Sequence, residues 1–395
     1  MKALILCHDF PPINSIGAER PYSWFLYFKE NGIEPIIVTK NWISNGSNNF
    51  NYTSKEFHKE ENEKGIILKT PYYPTPSLIW RKIFNNKLST IRKALTFIEK
   101  IISFINLNFD SNRGIYLAAK KYIIENDVDI LITTGEPFIL FRYGYLLKKR
   151  YNIKWIADYR DGWFLNHVTV LEKNILVKLL RKYEFHFEKK YINCVDLVTT
   201  VDPNMSYRLQ KLHNKKSTYI YNGFWEFEDG NHVENDNPKL IFNHTGTLTN
   251  GQNAEYLLDC ISDLINEKLV KPDDLEINFI GLEYFPKQIL RINKYKNLIN
   301  NVFKTTPRLS KINATRLNLN ADFLITFTDE NLSAIYAKTY NYMSCQKQIL
   351  VIPDDKDLLG NLVKDNSIGF AFNNKQELKQ FILDKISEKR NGILN

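Results

Sequence analysis

Two carboxylates, a guanidinium and two indoles fall within one short stretch, Trp155–Trp163, reading WIADYRDGW. The apolar run Trp155–Ala157 reads as a buried strand that delivers Asp158, Arg160 and Asp161 to its own C-terminal edge. In open α/β sheets, ligands bind outside the carboxyl ends of the strands. The alternative is an Asp158–Arg160 or Arg160–Asp161 ion pair that only pins the loop.

A second group, Ser333, Lys338 and Asn341, lies at or near the start of a helix expected over Leu332–Cys345. Free N–H groups at a helix start, with a lysine beside them, suit a nucleotide diphosphate. Lys338 could neutralise a leaving phosphate without a metal; the alternative is an ordinary surface lysine. Glycines punctuate the strand-to-helix turns at Gly17, at Gly246-Thr247 and at Gly281. A glycine there lets a phosphate or sugar approach the backbone. No GxGxxG is present, which argues against a nicotinamide cofactor. Asp127-Val-Asp129 has the look of a metal-binding Asp-x-Asp, but it precedes its strand instead of following it.

The elements that must position these residues alternate throughout. Ala3–Cys7 is a strand buried on both faces, followed by the loop FPPINSIGAE, a helix from about Arg20 to Asn31 and the strand Pro35–Thr39. Residues 41–65 read as a polar loop with a short helix, and Gly65–Lys69 as a third strand. Further strands are expected at Val128–Thr133, Trp155–Ala157 and Val195–Val201, with a long helix over Val168–Asn193 and a helix capped by Asp202-Pro203. After the acidic stretch FWEFEDGNHVENDNP the pattern repeats, with strands at Leu240–His244, Leu275–Ile280, Ala321–Phe327 and Ile349–Ile352. The expected fold class is α/β: two doubly wound, parallel-sheet, Rossmann-like domains facing each other across a cleft. Their boundaries are 1–224, a linker at 225–237, 238–373, and a C-terminal helix at 374–395 packing back towards the N-terminal domain.

Between Ser77 and Phe109 the chain is basic and aromatic. Arg81, Lys82, Arg92 and Lys93 interleave with Ile79, Trp80, Ile83 and Phe84. Such a helix either lies on an anionic bilayer or is a solvated face over a core stripe.

At 395 residues the chain is long enough for two domains, and its net charge of +9 favours an anionic partner. The four cysteines lack metal or disulfide spacing and read as reduced thiols. No signal peptide and no apolar run of about 18 residues is visible, so a cytoplasmic protein is expected. No helix-turn-helix, RRM, KH or zinc pattern supports a nucleic-acid partner.

Four segments in order resemble the GT-B glycosyltransferases, specifically family 4, the retaining group. They are FPPINSIGAERPYSW with GIEPIIVT; TTGEPF with WIADYRDGW; VDLVTTVDP with YIYNG; and HTGTL, FIGL, ADFLITF and KTYNYMS. The D-[FY]-R-D-x-W element is similar to that of capsule, lipopolysaccharide and exopolysaccharide enzymes. The resemblance implies sugar transfer from a nucleotide-diphosphate donor to a glycan or lipid-linked glycan. It implies donor binding by the C-terminal domain, with Gly246 and Thr247 near the phosphates, Lys338 near the diphosphate and Asn341 near the ribose. Gly17, Gly281 and Ser333 complete the expected donor set. Asp158 and Asp161, with Arg160, would orient an acceptor hydroxyl or stabilise oxocarbenium-like charge. Trp80, Arg81, Lys82, Arg92 and Lys93 would face the acceptor and the inner face of the cytoplasmic membrane. No cofactor and no metal are expected.

Two features depart from the family pattern. Ser333 and Asn341 stand where Glu-x7-Glu is common, with Glu330 three residues too early, and Asn250–Asn253 carries no positive charge. Two other readings therefore stay open: a non-catalytic GT-B subunit docking on a membrane or partner transferase, and a GT-B sugar-nucleotide epimerase.

Overall fold

Side chains alternate across a strand, so an unbroken apolar run fills two cores at once. Leu4 and Leu6 enter one hydrophobic cluster of the N-terminal unit, while Ala3, Ile5 and Cys7 enter another on the opposite face. The computed structural model describes residues 1–13, 15–44, 50–51, 54–84, 89–166, 175–226, 237–284, 286–296, 302–329 and 333–394. The chain divides into two compact units, Met1–Tyr221 and Asn222–Asn395.

In the first unit the strands are β1 (Lys2–Leu6), β2 (Glu34–Lys40), β3 (Ile43–Ser44), β4 (Phe50–Asn51), β5 (His58–Asn62), β6 (Gly65–Thr70), β7 (Ile130–Gly135), β8 (Lys154–Tyr159), β9 (Leu197–Thr200) and β10 (Ser217–Tyr219). The described main sheet runs β10-β9-β8-β7-β1-β2-β6-β5. All of its neighbours pair in parallel except β5, which pairs antiparallel with β6. Residues 41–65 were expected to hold a loop and a short helix; β5 is the correction. Every residue of His58–Asn62 is exposed, so no apolar signal marked it, and its pairing is a matter of backbone hydrogen bonds.

The helices of this unit are α1 (Ile16–Tyr27), α2 (Pro76–Phe84), α3 (Ser89–Ser103), α4 (Arg113–Glu125), α5 (Ile139–Tyr151), α6 (Ile175–Ile192) and α7 (Pro203–His213). α1 starts four residues before the expected Arg20, because Ser15 caps it by accepting from the Gly17 N–H. Gly17 therefore lies in the first helical turn, not in a loop ahead of it. Asp202 caps α7 as expected, accepting from Met205 N at 2.8 Å. The start of the expected Val168–Asn193 helix lies outside the described residues, as does most of the expected linker.

The second unit carries β11 (Leu240–Thr245), β12 (Leu275–Ile280), β13 (Phe303–Thr305), β14 (Phe323–Phe327), β15 (Gln348–Ile352) and β16 (Gly369–Ala371). They form a parallel sheet in the order β13-β12-β11-β14-β15-β16. Its helices are α8 (Glu255–Asn266), α9 (Pro286–Ile292), α10 (Lys311–Leu319), α11 (Ala337–Met343), α12 (Leu358–Asp365) and α13 (Lys375–Arg390). Within its own unit the last helix is firmly anchored. Leu378, Ile382 and Ile386 enter the core of that unit, and Lys389 pairs with Asp322 at 2.7 Å.

Candidate functional site

In the N-terminal unit β8 lies between β7 and β9, and Asp158 is in register with Thr134 on one side and Thr199 on the other. Both threonines donate to its carboxylate, at 3.0 and 2.7 Å. Arg20 of α1 completes the arrangement, with Nη2 at 2.9 Å and Nε at 3.2 and 3.1 Å from the two carboxylate oxygens. Arg20 Nη1 also donates to the Ile220 carbonyl at 2.8 Å. Asp158 is fully buried. Its carboxylate is consumed by protein donors, and it acts by fixing Arg20 and the position of α1.

Neither ion pair of the alternative reading, Asp158–Arg160 or Arg160–Asp161, forms. Arg160 donates through Nε to the Gly135 carbonyl at 2.8 Å and through Nη2 to the Glu136 carbonyl at 2.9 Å. It thereby clamps the turn after β7. A Cβ on Gly17 would stand 1.8 Å from Arg160 Nη1 and 2.7 Å from Asp9 Oδ2. Gly17 is required here by close approach of the guanidinium.

Asp161 is exposed. Glu136 is its neighbour in charge: burial and the Asp161 carboxylate together push the Glu136 carboxyl above its usual range. The carboxyl whose pKa Asp161 raises is therefore that of Glu136, on the turn after β7. Asp129, of the Asp-x-Asp stretch, accepts from the Lys2 N–H at 2.6 Å and ties down the start of β1. Among the described residues, no group of three or more His, Cys, Asp or Glu side chains is arranged to hold a metal ion.

Beside Gly17, His8 Nδ1 is 2.6 Å from Asp9 Oδ1, and Ser15 Oγ donates to Asp9 Oδ2 at 2.6 Å. A carboxylate only accepts, so the His8 proton is on Nδ1. Burial lowers the His8 pKa despite Asp9, so the ring is neutral at pH 7. Burial works against the Asp9 charge, but His8, Ser15 and Arg160 outweigh it and hold the carboxyl below its ordinary value.

In the second unit the chain leaves β11 and β12 through Gly246 at φ +94° and Gly281 at φ +86°, backbone that glycine adopts without strain. A Cβ on Gly281 would stand 4.0 Å from the Cα atoms of both Gly246 and Arg308. The two turns and the Thr306–Arg308 segment therefore share one strand edge. Thr306 Oγ1 accepts from the Gly281 N–H at 2.9 Å. Arg308, which sequence reasoning did not single out, is brought there by β13.

Lys338, near the start of α11, reaches the same edge. Its Nζ donates to His244 Nε2 at 3.1 Å and to the Thr247 carbonyl at 3.3 Å. His244 is fully buried and bonds the Ile325 carbonyl through Nδ1 at 3.0 Å, so Nε2 is the acceptor. Burial, then the charge of Lys338, holds the His244 pKa well below its ordinary value. Burial takes the Lys338 pKa down to about 7, and no carboxylate pairs with it among the described residues. Asn341 lies one helical turn further on the same face.

Ser333 does not belong to the helix. α11 begins at Ala337, and Ser333 Oγ accepts from the Leu358 N–H at 3.4 Å, tying this segment to the start of α12. Glu330 lies outside the described residues. In the Asn250–Asn253 stretch, which departs from the family pattern by carrying no cation, Gln252 is buried and bridges Thr249 N and the Phe327 carbonyl, at 2.9 and 2.8 Å. A guanidinium does reach this turn, from α9. Arg291 donates to the Gln252 carbonyl at 2.6 Å and to the Thr249 carbonyl at 3.1 Å, and it pairs with Glu255.

The basic segment folds as two helices. Glu99 of α3 is buried and accepts from the N–H and hydroxyl of Ser77 at the start of α2, so the two run antiparallel. Ile79, Ile83, Phe84, Ile91 and Ile98 are all exposed, with Ile83 at 65%. Trp80 rests on Phe84 with ring centroids 4.3 Å apart. Arg81, Lys82 and Lys93 are exposed and Arg92 is partly so. These apolar side chains do not form a core stripe. Among the described residues, no helix is long and apolar enough to cross a membrane.

No protein-family profile matches the sequence, and no curated protein does. Solved structures do match. Sucrose-phosphate synthase from Thermosynechococcus elongatus superposes with a TM-score of 0.60 at 11% identity, covering 100% of this chain and 95% of that one. Anabaena Alr3699/HepE, in complex with UDP and glucose, gives 0.56 at 12% identity, covering 100% and 92%. The lipopolysaccharide outer core galactosyltransferase WaaB, in its apo form, gives 0.53 at 12% identity, covering 100% and 92%. Two parallel-sheet α/β units in this order, matched over the whole chain, make the fold that of the GT-B glycosyltransferases.

Proposed function

We propose that the protein transfers a sugar from a nucleotide-diphosphate donor to a glycan or lipid-linked glycan acceptor in bacterial surface-polysaccharide assembly, with retention and without a metal. The observation that carries this reading is Lys338. Its ammonium has no carboxylate partner among the described residues and stands beside Gly246, at the carboxyl end of a parallel sheet. A diphosphate placed there meets an ammonium and glycine backbone that can be approached closely. HepE, of the same fold, has been solved with UDP and glucose.

In this reading Lys338 holds the leaving diphosphate and Asn341 hydrogen-bonds the ribose. Retention follows from attack on the face the phosphate leaves, with a phosphate oxygen drawing the proton from the acceptor hydroxyl. Asp161 and Glu136 orient that hydroxyl; Arg160 and Gly17 hold the turn that carries Glu136. The exposed apolar and basic residues of α2 and α3 suit an anionic bilayer, and this supports a peripheral position at the inner face of the cytoplasmic membrane.

The test is thermal unfolding with UDP, GDP, CMP, dTDP and ADP, each with and without magnesium. A ligand at 100 times its Kd stabilises by about 2.7 kcal/mol. A rise with one nucleoside diphosphate, unchanged by magnesium, is expected. No rise with any of them sinks the reading and favours a non-catalytic subunit, which the occupied Gln252 side chain also suits.

A further inference from the structure

Lys40 ends β2 at the carboxyl edge of the N-terminal sheet, and it is only 5% exposed. Its ammonium lies 4.5 Å from the centre of the Tyr72 ring and 6.0 Å from that of Trp42. No hydrogen bond or ion pair engages that ammonium among the described residues. Lysines are rarely buried so deeply unless paired, because a desolvated charge without a counterion is costly.

The acids that face it are already engaged. Asp110 accepts from the Tyr143 hydroxyl and from Asn112 N at 2.8 Å. Asp9 accepts from His8 and Ser15. Arg160, the other nearby cation, is committed to the Gly135 and Glu136 carbonyls. Burial brings the Lys40 pKa down to about 8, with Asp110 and Asp9 pulling the other way. His8 meets the same indole edge-on, its ring 5.1 Å from that of Trp42. With Nδ1 given to Asp9, its Nε2 has no protein partner among the described residues.

We propose that this edge is a subsite for a phosphoryl group of the acceptor, held by Lys40 Nζ between the Trp42 and Tyr72 rings and bordered by His8. The proposal rests on the N-terminal unit being the acceptor side of a transferase. The phosphoryl group can come from a lipid diphosphate or from a free sugar phosphate. The chemistry at Lys40 is the same: the ammonium supplies hydrogen bonds and the counter-charge that the protein withholds.

The experiment is calorimetric titration of the full chain carrying Lys338→Met, so that the second unit's own phosphate contact is removed. Inorganic pyrophosphate, geranyl diphosphate and glucose 1-phosphate are titrated in turn. Adding Lys40→Met is expected to weaken pyrophosphate at least roughly tenfold, and Lys40→Arg to keep most of the affinity. Tighter binding of geranyl diphosphate than of glucose 1-phosphate supports the lipid-linked source, and the reverse order the free sugar phosphate. Lys40→Met alone should melt no lower than the parent chain. Unchanged pyrophosphate affinity overturns the subsite, and so does a melting point lowered by several degrees, since the ammonium would then be holding the fold. If nucleoside diphosphates fail to bind the unsubstituted chain while Lys40 still governs pyrophosphate, the transferase reading falls and the subsite stands.

Discussion

Arg20 Nη2 stands 2.9 Å from Asp158 Oδ1 across 138 residues of sequence, and neither side chain is more than 5% exposed. The pair joins the first helix to the strand that presents Arg160 and Asp161. Removing one partner of a buried pair leaves the other charge uncompensated, at a cost of about 3–5 kcal/mol. Asp158→Asn or Arg20→Met should therefore lower the unfolding midpoint sharply in denaturant titration. The double replacement Arg20→Met/Asp158→Leu should recover part of that loss. Equal midpoints for parent and single variants would mean the pair holds nothing.

Asp161→Ala should leave nucleotide-induced stabilisation intact and reduce transfer by roughly two to four orders of magnitude. Glu136→Gln should produce a smaller loss and move the acid limb of the pH–rate profile, because Asp161 and burial raise the Glu136 pKa together. Steady-state rates with donor at saturation check both. Transfer at the parent rate by Asp161→Ala would remove this edge from the chemistry.

Lys338 gives a signed pH prediction. Its pKa in the folded chain is about 7, against about 10.4 for an unperturbed lysine. Between these values the unfolded chain binds more protons, so this lysine's destabilising contribution is full below pH 7 and fades as pH rises towards 10. Lys338→Met should raise the melting temperature most at or below neutrality. Nucleoside diphosphate binding should take up a proton above pH 7, measured by calorimetry in buffers of differing ionisation heat. Binding without proton uptake would show that the ammonium does not meet the phosphate.

Gly17→Ala places a methyl where Arg160 Nη1 now sits. The guanidinium must leave the Gly135 and Glu136 carbonyls, so transfer should fall while nucleotide binding persists. Gly246→Ala forces a side chain into the left-handed region at a cost of about 1–2 kcal/mol, and here the nucleotide affinity should fall. The two variants thus separate the units by which measurement moves.

For the helix pair α2–α3, replacing Arg81, Lys82 and Lys93 by Glu should release the protein from vesicles containing anionic lipid in a flotation assay. Each basic residue near such a surface is worth about 1 kcal/mol. Ile83→Asp should act in the same direction on neutral and anionic vesicles alike, since it removes apolar insertion instead of charge.

Much of the fold was legible because buried parallel strands announce themselves. Ala3–Cys7, Val128–Thr133 and Ala321–Phe327 are apolar runs too short for helices, each leading into polar residues. Asp202-Pro203 was legible as a cap for a local reason, a side chain three residues from the N–H it accepts. What escaped was non-local. Nothing near Asp158 names Arg20 as its partner, and nothing near Gln252 names Arg291 as the cation that reaches its turn. α11 was expected to begin five residues too early, because Ser333 is held outside the helix by Leu358, a contact with no local sequence signal. Asp161 stood out in WIADYRDGW, whereas Glu136 comes within its electrostatic influence only through the pairing of β7 with β8.

The rim strand β5 has a consequence for the protein in bulk. His58-Lys59-Glu60-Glu61-Asn62 is exposed at every position, and it caps one margin of a wide, otherwise parallel sheet. A margin with free backbone groups invites a strand from a neighbouring molecule, and charged side chains along it make that docking costly. The chain thus carries its own guard against fibrous self-association on that side, so concentrated preparations should be limited by the greasy helix pair α2–α3 and cleared by detergent or lipid before salt.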